Sequence, residues 1–438
     1  MFYLDHLLPF LFPFYCPSPL EGGTSWILEM MVSSPVVRQA TLCQSSYFFS
    51  LARGTTSYAV MWDTMLAQTS DAFRVLRQSL QVINNSNILE HLHGAVRILA
   101  SIMQLQRFEV AISNLTNCRA HLNAALALFV QLLNSNPGGV EPADPGSTFN
   151  AVMERLGPPT RLLPADCAQV PSAEQAAFRF SSALLIFHDL IVSTMLQQEP
   201  GLYEYHRSLL GSTDGADPLI NLEAVVGCQT WVLVHIGETA KLDAWKQQCK
   251  RAGTLNVMEL VHRATSVKDS LDAHLARLET QPETAPNADS SNLLNVFRAD
   301  YGPESKTPAS QTALVSRVWA HAALLYLYVV VSGYQPSSGE VRHHVCQILE
   351  LLTHQISPPA LLRTMAWPFC VAGCLAEAAQ EAQFRGMVAA LRPAGVFGTL
   401  SQALETMEKA WGNRGALDSM SDYIAKYFRT RGELLLLV

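Results

Sequence analysis

The chain predicts an all-α protein, an irregular array of antiparallel helical hairpins with no significant sheet. Three observations carry that prediction. Apolar residues recur at three- and four-residue spacing through most of the 438 residues. No segment of useful length alternates apolar and polar residues between turn signals, the pattern that a half-buried strand requires. Helix pairs recur at irregular lengths with no exact internal repeat, so a strict solenoid such as a tetratricopeptide array does not fit.

Residues 1–134 read as an N-terminal helical half. Its opening, FYLDHLLPFLFPFY, and the residues just after it carry prolines at 9, 13, 17 and 19, which forbid a long helix and predict one short helix followed by an extended, buried segment. Ser34 and Pro35 make an N-cap and first-turn pair. From there Val36, Ala40, Cys43, Tyr47 and Leu51 share one helix face, and Gly54 can end it. Met65, Thr69, Ala72, Phe73, Leu76, Leu80 and Ile83 line the next helix, which the asparagines at 84–87 stop. Ile88, Leu92, Val96, Leu99 and Met103 face a partner, and Leu122, Ala125, Leu126, Phe129 and Leu132 continue the theme. Short polar connections make these neighbours hairpins.

Residues 135–173 form a Pro/Gly-rich excursion with one short helix expected at 149–156. Central helices follow over 174–280. Ala177, Phe180, Leu184, Phe187, Ile191 and Met195 face inward on the first; others are expected near 219–236, 241–249 and 256–278. A flexible polar loop, 281–308, precedes the C-terminal helical part, 309–438. There residues 314–331 are apolar nearly all round, predicting a helix buried on most sides. Residues 341–353 lead into a stretch at 361–411 that reads as two or three packed helices. In it Leu361, Met365, Phe369 and Ala372 recur at helical spacing, and Pro368 inside that pattern predicts a kink near Trp367. Leu400, Leu404, Met407 and Trp411 make a buried stripe, with Glu405 and Lys409 paired on the wet side. Tyr423, Ala425, Tyr427 and Phe428 belong to a last helix.

Composition narrows the chemistry. Apolar residues make up 49% and charged ones 15%, which is a globular and not a disordered balance. The net charge is −7, and the densest basic cluster, Lys246, Lys250 and Arg251, fits the solvated face of one helix, so the chain itself lacks a footprint for nucleic acid. Nine cysteines lie scattered without a CxxC pair, as reduced thiols would. The apolar opening has no basic flank, and the longest apolar run, 319–331, contains His321 and is too short to span a bilayer.

Walker, GxGxxG, HExxH and GxSxG patterns are absent. His91 and His93, two apart, point to different faces of a helix; His343 and His344 diverge likewise, so helix-surface and core histidines are the expectation. Cys370 and Cys374 share a face at i and i+4, where a redox dithiol is conceivable and a core pair is favoured. Trp367 and Trp411 are expected as packing anchors in preference to walls of a ligand cavity. Asp243, Asp269 and Asp272 fall on predicted polar faces without partner carboxylates. No catalytic, cofactor-binding or metal-binding residue is nominated, and the chain is not expected to be an enzyme.

Several stretches carry a resemblance. The segments FYLDHLLPFLFPFY at 2–15, SSPVVRQATLCQSSYFFSLARG at 33–54, MAWPFCVAGCLA at 365–376 and ALETMEKAW at 403–411 together resemble the fungal-specific transcription factor domain. This is the regulatory region of zinc binuclear cluster regulators, and the wording is nearest the branch that includes the acriflavine sensitivity control protein. The resemblance runs across nearly the whole chain. It implies an all-helical regulatory domain of a nuclear regulator of RNA polymerase II transcription. Transcription machinery or regulatory proteins would be its partners, with room for a homodimer and for a small-molecule effector. In that family DNA contacts come from an N-terminal cluster of six cysteines holding zinc. No residue here matches those ligands, so Met1 falls about where the regulatory domain would begin, and DNA would be reached only through a module outside this sequence. Two rival readings are a helical interaction scaffold, which predicts a filled core around Trp367, and a helical enzyme, which requires titratable groups meeting in one cleft.

Overall fold

The computed structural model describes residues 2–18, 22–53, 58–84, 91–112, 115–134, 144–157, 170–211, 218–280, 311–391, 394–414 and 437. Every regular element among them is helical, as the sequence predicts. The principal helices are α1 (Ser25–Ser33), α2 (Pro35–Arg53), α3 (Tyr58–Asn84), α4 (Leu92–Ala111), α5 (Leu115–Asn134), α6 (Pro145–Leu156), α7 (Ala173–Leu196) and α8 (Tyr203–Leu210). After them come α9 (Thr230–Ala252), α10 (Val257–Thr280), α11 (Thr312–Ser332), α12 (Gly339–Glu350), α13 (Ala366–Cys374), α14 (Glu381–Ala390) and α15 (Gly398–Gly412). The expected helix at 423–428, the polar loop at 281–308 and the apolar segment at 293–297 lie outside the described residues.

Local chemistry sets the helix starts. Ser34 Oγ accepts the Val37 N–H at 3.5 Å at the head of α2, with Pro35 in the first turn. Asp144 caps α6 through the Gly146 N–H at 3.0 Å. Ser172 and Gln175 form a reciprocal capping box at α7, with bonds of 3.1 and 2.9 Å.

Two helices are apolar on almost every side, and the rest wrap them. In α7 all but a few residues from Ala173 to Met195 are buried, and α11 is buried along most of its length. Both are long and apolar enough to cross a membrane by length and composition alone. However, 89% and 78% of their apolar windows are buried inside the protein, which marks them as core helices. Helices α1, α4 and α9 pack on α7; α9, α10, α12 and α13 pack on α11. Hairpins α2/α3, α4/α5, α9/α10 and α11/α12 give the array its repeating unit without a fixed period.

The opening segment folds as two short helical turns, Tyr3–Leu7 and Leu8–Leu11; in place of the expected extended segment the chain then turns at residues 13–14, burying Phe12 and Phe14 and leaving Cys16 exposed. Phe12, Tyr15 and Trp26 surround the Phe180 ring on α7 at centroid distances of 4.8, 4.6 and 5.6 Å. Within the predicted 135–173 excursion, α6 does not stand off the body. Phe149 is buried and stacks on Phe178 at 5.0 Å, and Gln175 Nε2 donates to the Met153 carbonyl at 2.7 Å.

Three further local expectations change. Residues 219–252 do not form the two helices expected near 219–236 and 241–249. A single turn, Glu223–Val226, stops at Gly227 with φ +78°, and α9 then runs unbroken through Lys241. A side chain at Gly227 would also strike the Phe14 ring, 2.2 Å from an added Cβ. Pro368 does not kink a helix interior. The chain turns three residues earlier at Met365 (φ −124°, ψ 28°), between a 3-10 turn, Pro359–Met365, and α13, which leaves Pro368 in a first turn where its missing N–H costs nothing. On α15 the wet side is tied by Glu408 to Arg385 at 2.9 Å; among the described ion pairs, Glu405 and Lys409 do not meet.

Candidate functional site

The residues singled out by sequence separate into a packing centre and a set of satisfied polar contacts. Trp367 is fully buried. Its ring stacks on Trp319 at 5.6 Å with 9° between planes and meets Tyr326 edge-on at 5.9 Å. Its Nε1 donates to Thr194 Oγ1 at 2.9 Å, joining α13 to α7 across 173 residues of chain. Trp411 Nε1 donates to the Gly373 carbonyl at 2.8 Å and so clamps α15 on α13. A Cβ at Gly373 would lie 1.7 Å from Met407 Sδ, so this crossing is closer than any other residue permits. Cys370 and Cys374 are both buried as free thiols between these helices, and burial pushes the Cys370 thiol well up, away from the thiolate that redox chemistry uses. Both tryptophans and both cysteines are therefore packing groups.

His93 is exposed and His91 half-buried. His343 is exposed, but His344 turns inward, where its Nδ1 lies 3.0 Å from Nδ1 of His321. Burial is the main force holding His321 down at about 3 and His344 at about 4, so both rings are neutral and share one proton between the facing nitrogens. Asp243 is a correction: it is buried, not on a polar face. It accepts from Gln247 at 3.1 Å and from Gln197 and Tyr326 at 3.4 Å each, with its carboxyl raised by desolvation. Lys246 is likewise buried, its ammonium on the Val330 carbonyl, so only part of the expected basic face is solvated. Asp269 is exposed, and Asp272 accepts from Lys268 at 2.6 Å. Asp189 was not foreseen. Its carboxylate receives the Gly201 and Leu202 N–H groups at 3.1 and 2.9 Å and pins the turn after α7, although burial lifts it to about 6. Among the described residues no three His, Cys, Asp or Glu side chains are placed to hold a metal ion.

Among the concave regions of the described residues, two bear on these side chains. An open groove of about 670 Å³ lies beside α9 and α10. Its polar walls are already engaged: Lys241 pairs with Glu199 at 2.8 Å and covers Tyr203, Arg263 covers Trp245, and His235 holds Ser270 at 2.7 Å. The second is a chamber of about 40 Å³ where the opening segment, α2, α4 and the start of α15 converge. Leu11, Phe48, Arg107, Arg363, Phe397 and Thr399 are among the residues that line it. Neither region reaches Trp367. Arg107 and Arg363 were missed by the sequence reading. A signal for one was present: four residues beyond Met103, Arg107 continues the buried stripe of α4.

The described body is all-helical, and its two singled-out tryptophans are spent on packing one helix against another. The chain belongs to the fungal specific transcription factor domain family, whose match runs over residues 1–436. Among similar curated proteins, the transcription factor dibT of Pestalotiopsis microspora is 36% identical across 100% of this chain and 70% of its own length. The trichothecene biosynthesis transcription regulator TRI10 of Fusarium sporotrichioides is 26% identical over 94% of this chain and 91% of its own. The ustiloxin B cluster transcription factor ustR of Aspergillus flavus is 29% identical over 65% of this chain, which spans 44% of that relative. No solved structure matches the chain.

Proposed function

We propose that this chain is the regulatory domain of a fungal transcription regulator that acts in the nucleus on a biosynthetic gene cluster, reaching DNA through a separate zinc-bearing module. The observation that carries this reading is the family match along the whole helical body, from residue 1 to 436. Relatives bearing the names of the ustiloxin B cluster and of trichothecene biosynthesis support the cluster assignment. A net charge of −7 supports indirect contact with DNA, because a domain that displaces counterions from phosphate needs a basic face.

The chain would act through protein contacts, with transcription machinery or a second copy, and its state would set the output of the attached module. Fusing it to a heterologous DNA-binding domain upstream of a reporter tests this. The expected result is a change in reporter transcription that depends on the fold and is lost in Trp367→Ala. The unfused chain should leave duplex DNA unshifted in a gel at physiological salt. A fusion indistinguishable from the bare DNA-binding domain under every growth condition would leave the scaffold reading in its place.

A further inference from the structure

Charged side chains sunk in apolar surroundings are costly unless a counter-charge meets them, and the cost falls when a ligand supplies it. Arg107 on α4 and Arg363 on the 3-10 turn Pro359–Met365 both line the 40 Å³ chamber. Both side chains are half-buried, yet both Nε atoms are sealed from solvent and have no hydrogen-bond partner. Their other contacts are neutral. Arg107 lies over the Phe12 ring at 4.3 Å, Arg363 over the Phe10 ring at 4.5 Å, and Arg363 Nη2 donates to the Phe10 carbonyl. No described carboxylate forms an ion pair with either guanidinium. Each is held down mainly by burial, Arg107 to about 10 and Arg363 to about 9, and Arg107 further depresses Arg363 by like-charge repulsion. Among the described groups the phenol of Tyr3 acts on Arg107 to raise it, and burial keeps that phenol protonated, up at about 12.

A third source of positive potential faces the same space. Gly398 and Thr399, the first residues of α15, line the chamber, and the N-cap residue Phe397 makes no side-chain cap bond there. The remaining walls, Leu11, Phe48 and Val396 among them, are apolar. On the far side of Arg107 a smaller void of about 20 Å³ contains Gln44, whose amide nitrogen and oxygen are also buried without partners. At about 10–15 Å³ for each water-sized group, the chamber has room for about three or four heavy atoms, the size of a carboxylate head.

We propose that Arg107, Arg363 and the start of α15 form a binding site for the carboxylate head of a small organic acid, whose apolar body extends out through the open side of the chamber past Leu11, Phe48 and Phe397. Two guanidinium groups at one carboxylate give charge-assisted donors from two directions. The ligand would tie the opening segment and α4 to the C-terminal helices, so occupancy would change how these parts hold together. The binding rests on the geometry alone; its use as a signal rests on the regulatory reading above.

The test uses the purified full chain with hexanoate and benzoate as probes, benzamide as the neutral isostere, and phosphate and sulfate as inorganic anions. Hexanoate or benzoate should raise the thermal midpoint in a saturable way, while benzamide should not. Arg363→Gln and Arg107→Gln should each weaken that apparent affinity by about tenfold or more. Without ligand, Arg107→Gln should melt at or above the wild-type temperature, because it removes one of two mutually repelling buried charges and, unlike Arg363→Gln, gives up no hydrogen bond to the opening segment. A clear drop in that variant's unliganded midpoint would mean that another part of the chain already neutralises the pair, and it overturns the proposal. So does equal stabilisation by phosphate, sulfate and the carboxylates, which would mark a generic anion site, and so does no response to any of them. The reporter fusion separates the two readings. Binding in solution with no effect of the acid on transcription keeps the site and removes its signalling role.

Discussion

Trp367 offers a sharp test of how the array is held together. Replacing it with alanine removes a fully buried indole that stacks on Trp319 and bonds to Thr194. Cavity formation at such a site costs about 3–5 kcal/mol. Trp367→Phe keeps most of the buried area but removes the donor from Thr194 Oγ1, and Thr194→Val leaves the indole N–H without an acceptor; each should cost about 1–3 kcal/mol. If the hydrogen bond is what couples them, the double variant Trp367→Phe/Thr194→Val should be less destabilised than the sum by about 1 kcal/mol. Urea titrations of the purified chains, followed by helical circular dichroism, measure all four. A loss below about 1 kcal/mol for Trp367→Ala would refute the anchoring role, since no well-packed buried indole comes out so cheaply. An additive double variant would refute the coupling between α7 and α13.

The facing histidines predict a pH dependence. With His321 held at about 3 and His344 at about 4, both far below the ordinary value near 6.5, the unfolded chain takes up protons that the fold refuses. Their contribution is therefore full above about pH 6.5 and is lost as the pH falls toward about 4; at about pH 5 the loss is about 2 kcal/mol for each ring that stays neutral in the fold. His121 and His206, each at about 4, act in the same direction, whereas Asp189, raised to about 6, opposes it. His344→Asn should thus shrink the fall in thermal midpoint between about pH 7.5 and about pH 5 without abolishing it, and an unchanged fall would refute the assignment. At the α13/α15 crossing, Gly373→Ala forces a Cβ onto Met407 and should cost about 1–3 kcal/mol by overpacking. Met407→Ala in the same chain clears the space, so the pair should be less destabilised than the separate losses add up to; denaturant midpoints decide this.

How far the sequence could be read depended on whether the deciding contact was local. Ser34 with Pro35 announces a helix start because both residues sit at the first turn itself. The all-round apolar run after Leu314 announces α11 because no exposed face could tolerate it. Asp243 was misplaced because the groups that satisfy it, Tyr326 and Gln197, are 83 and 46 residues away, and nothing at Asp243 itself reports them. Spacing around Pro368 predicts a kink because it gives a helix face but not the N-cap residue at which the helix begins, Met365. The arginine chamber has the same difficulty in a stronger form. Arg107 and Arg363 are ordinary surface residues by type, and only the meeting of α4 with the C-terminal turn makes them a pair.

The hydrogen bond from Arg363 to the Phe10 carbonyl closes a separation of 353 residues, and Phe10 also meets Phe397 at 5.8 Å. Until the ribosome has made that distant turn, Phe10 has its nearer neighbour Phe48 but lacks the two partners that close over it from the C-terminal part. At about 5–20 residues per second, this leaves that side of the ring open on the nascent chain for roughly 20–70 s. The last step of closing the domain is therefore late by necessity, and a slower ribosome lengthens the interval before it.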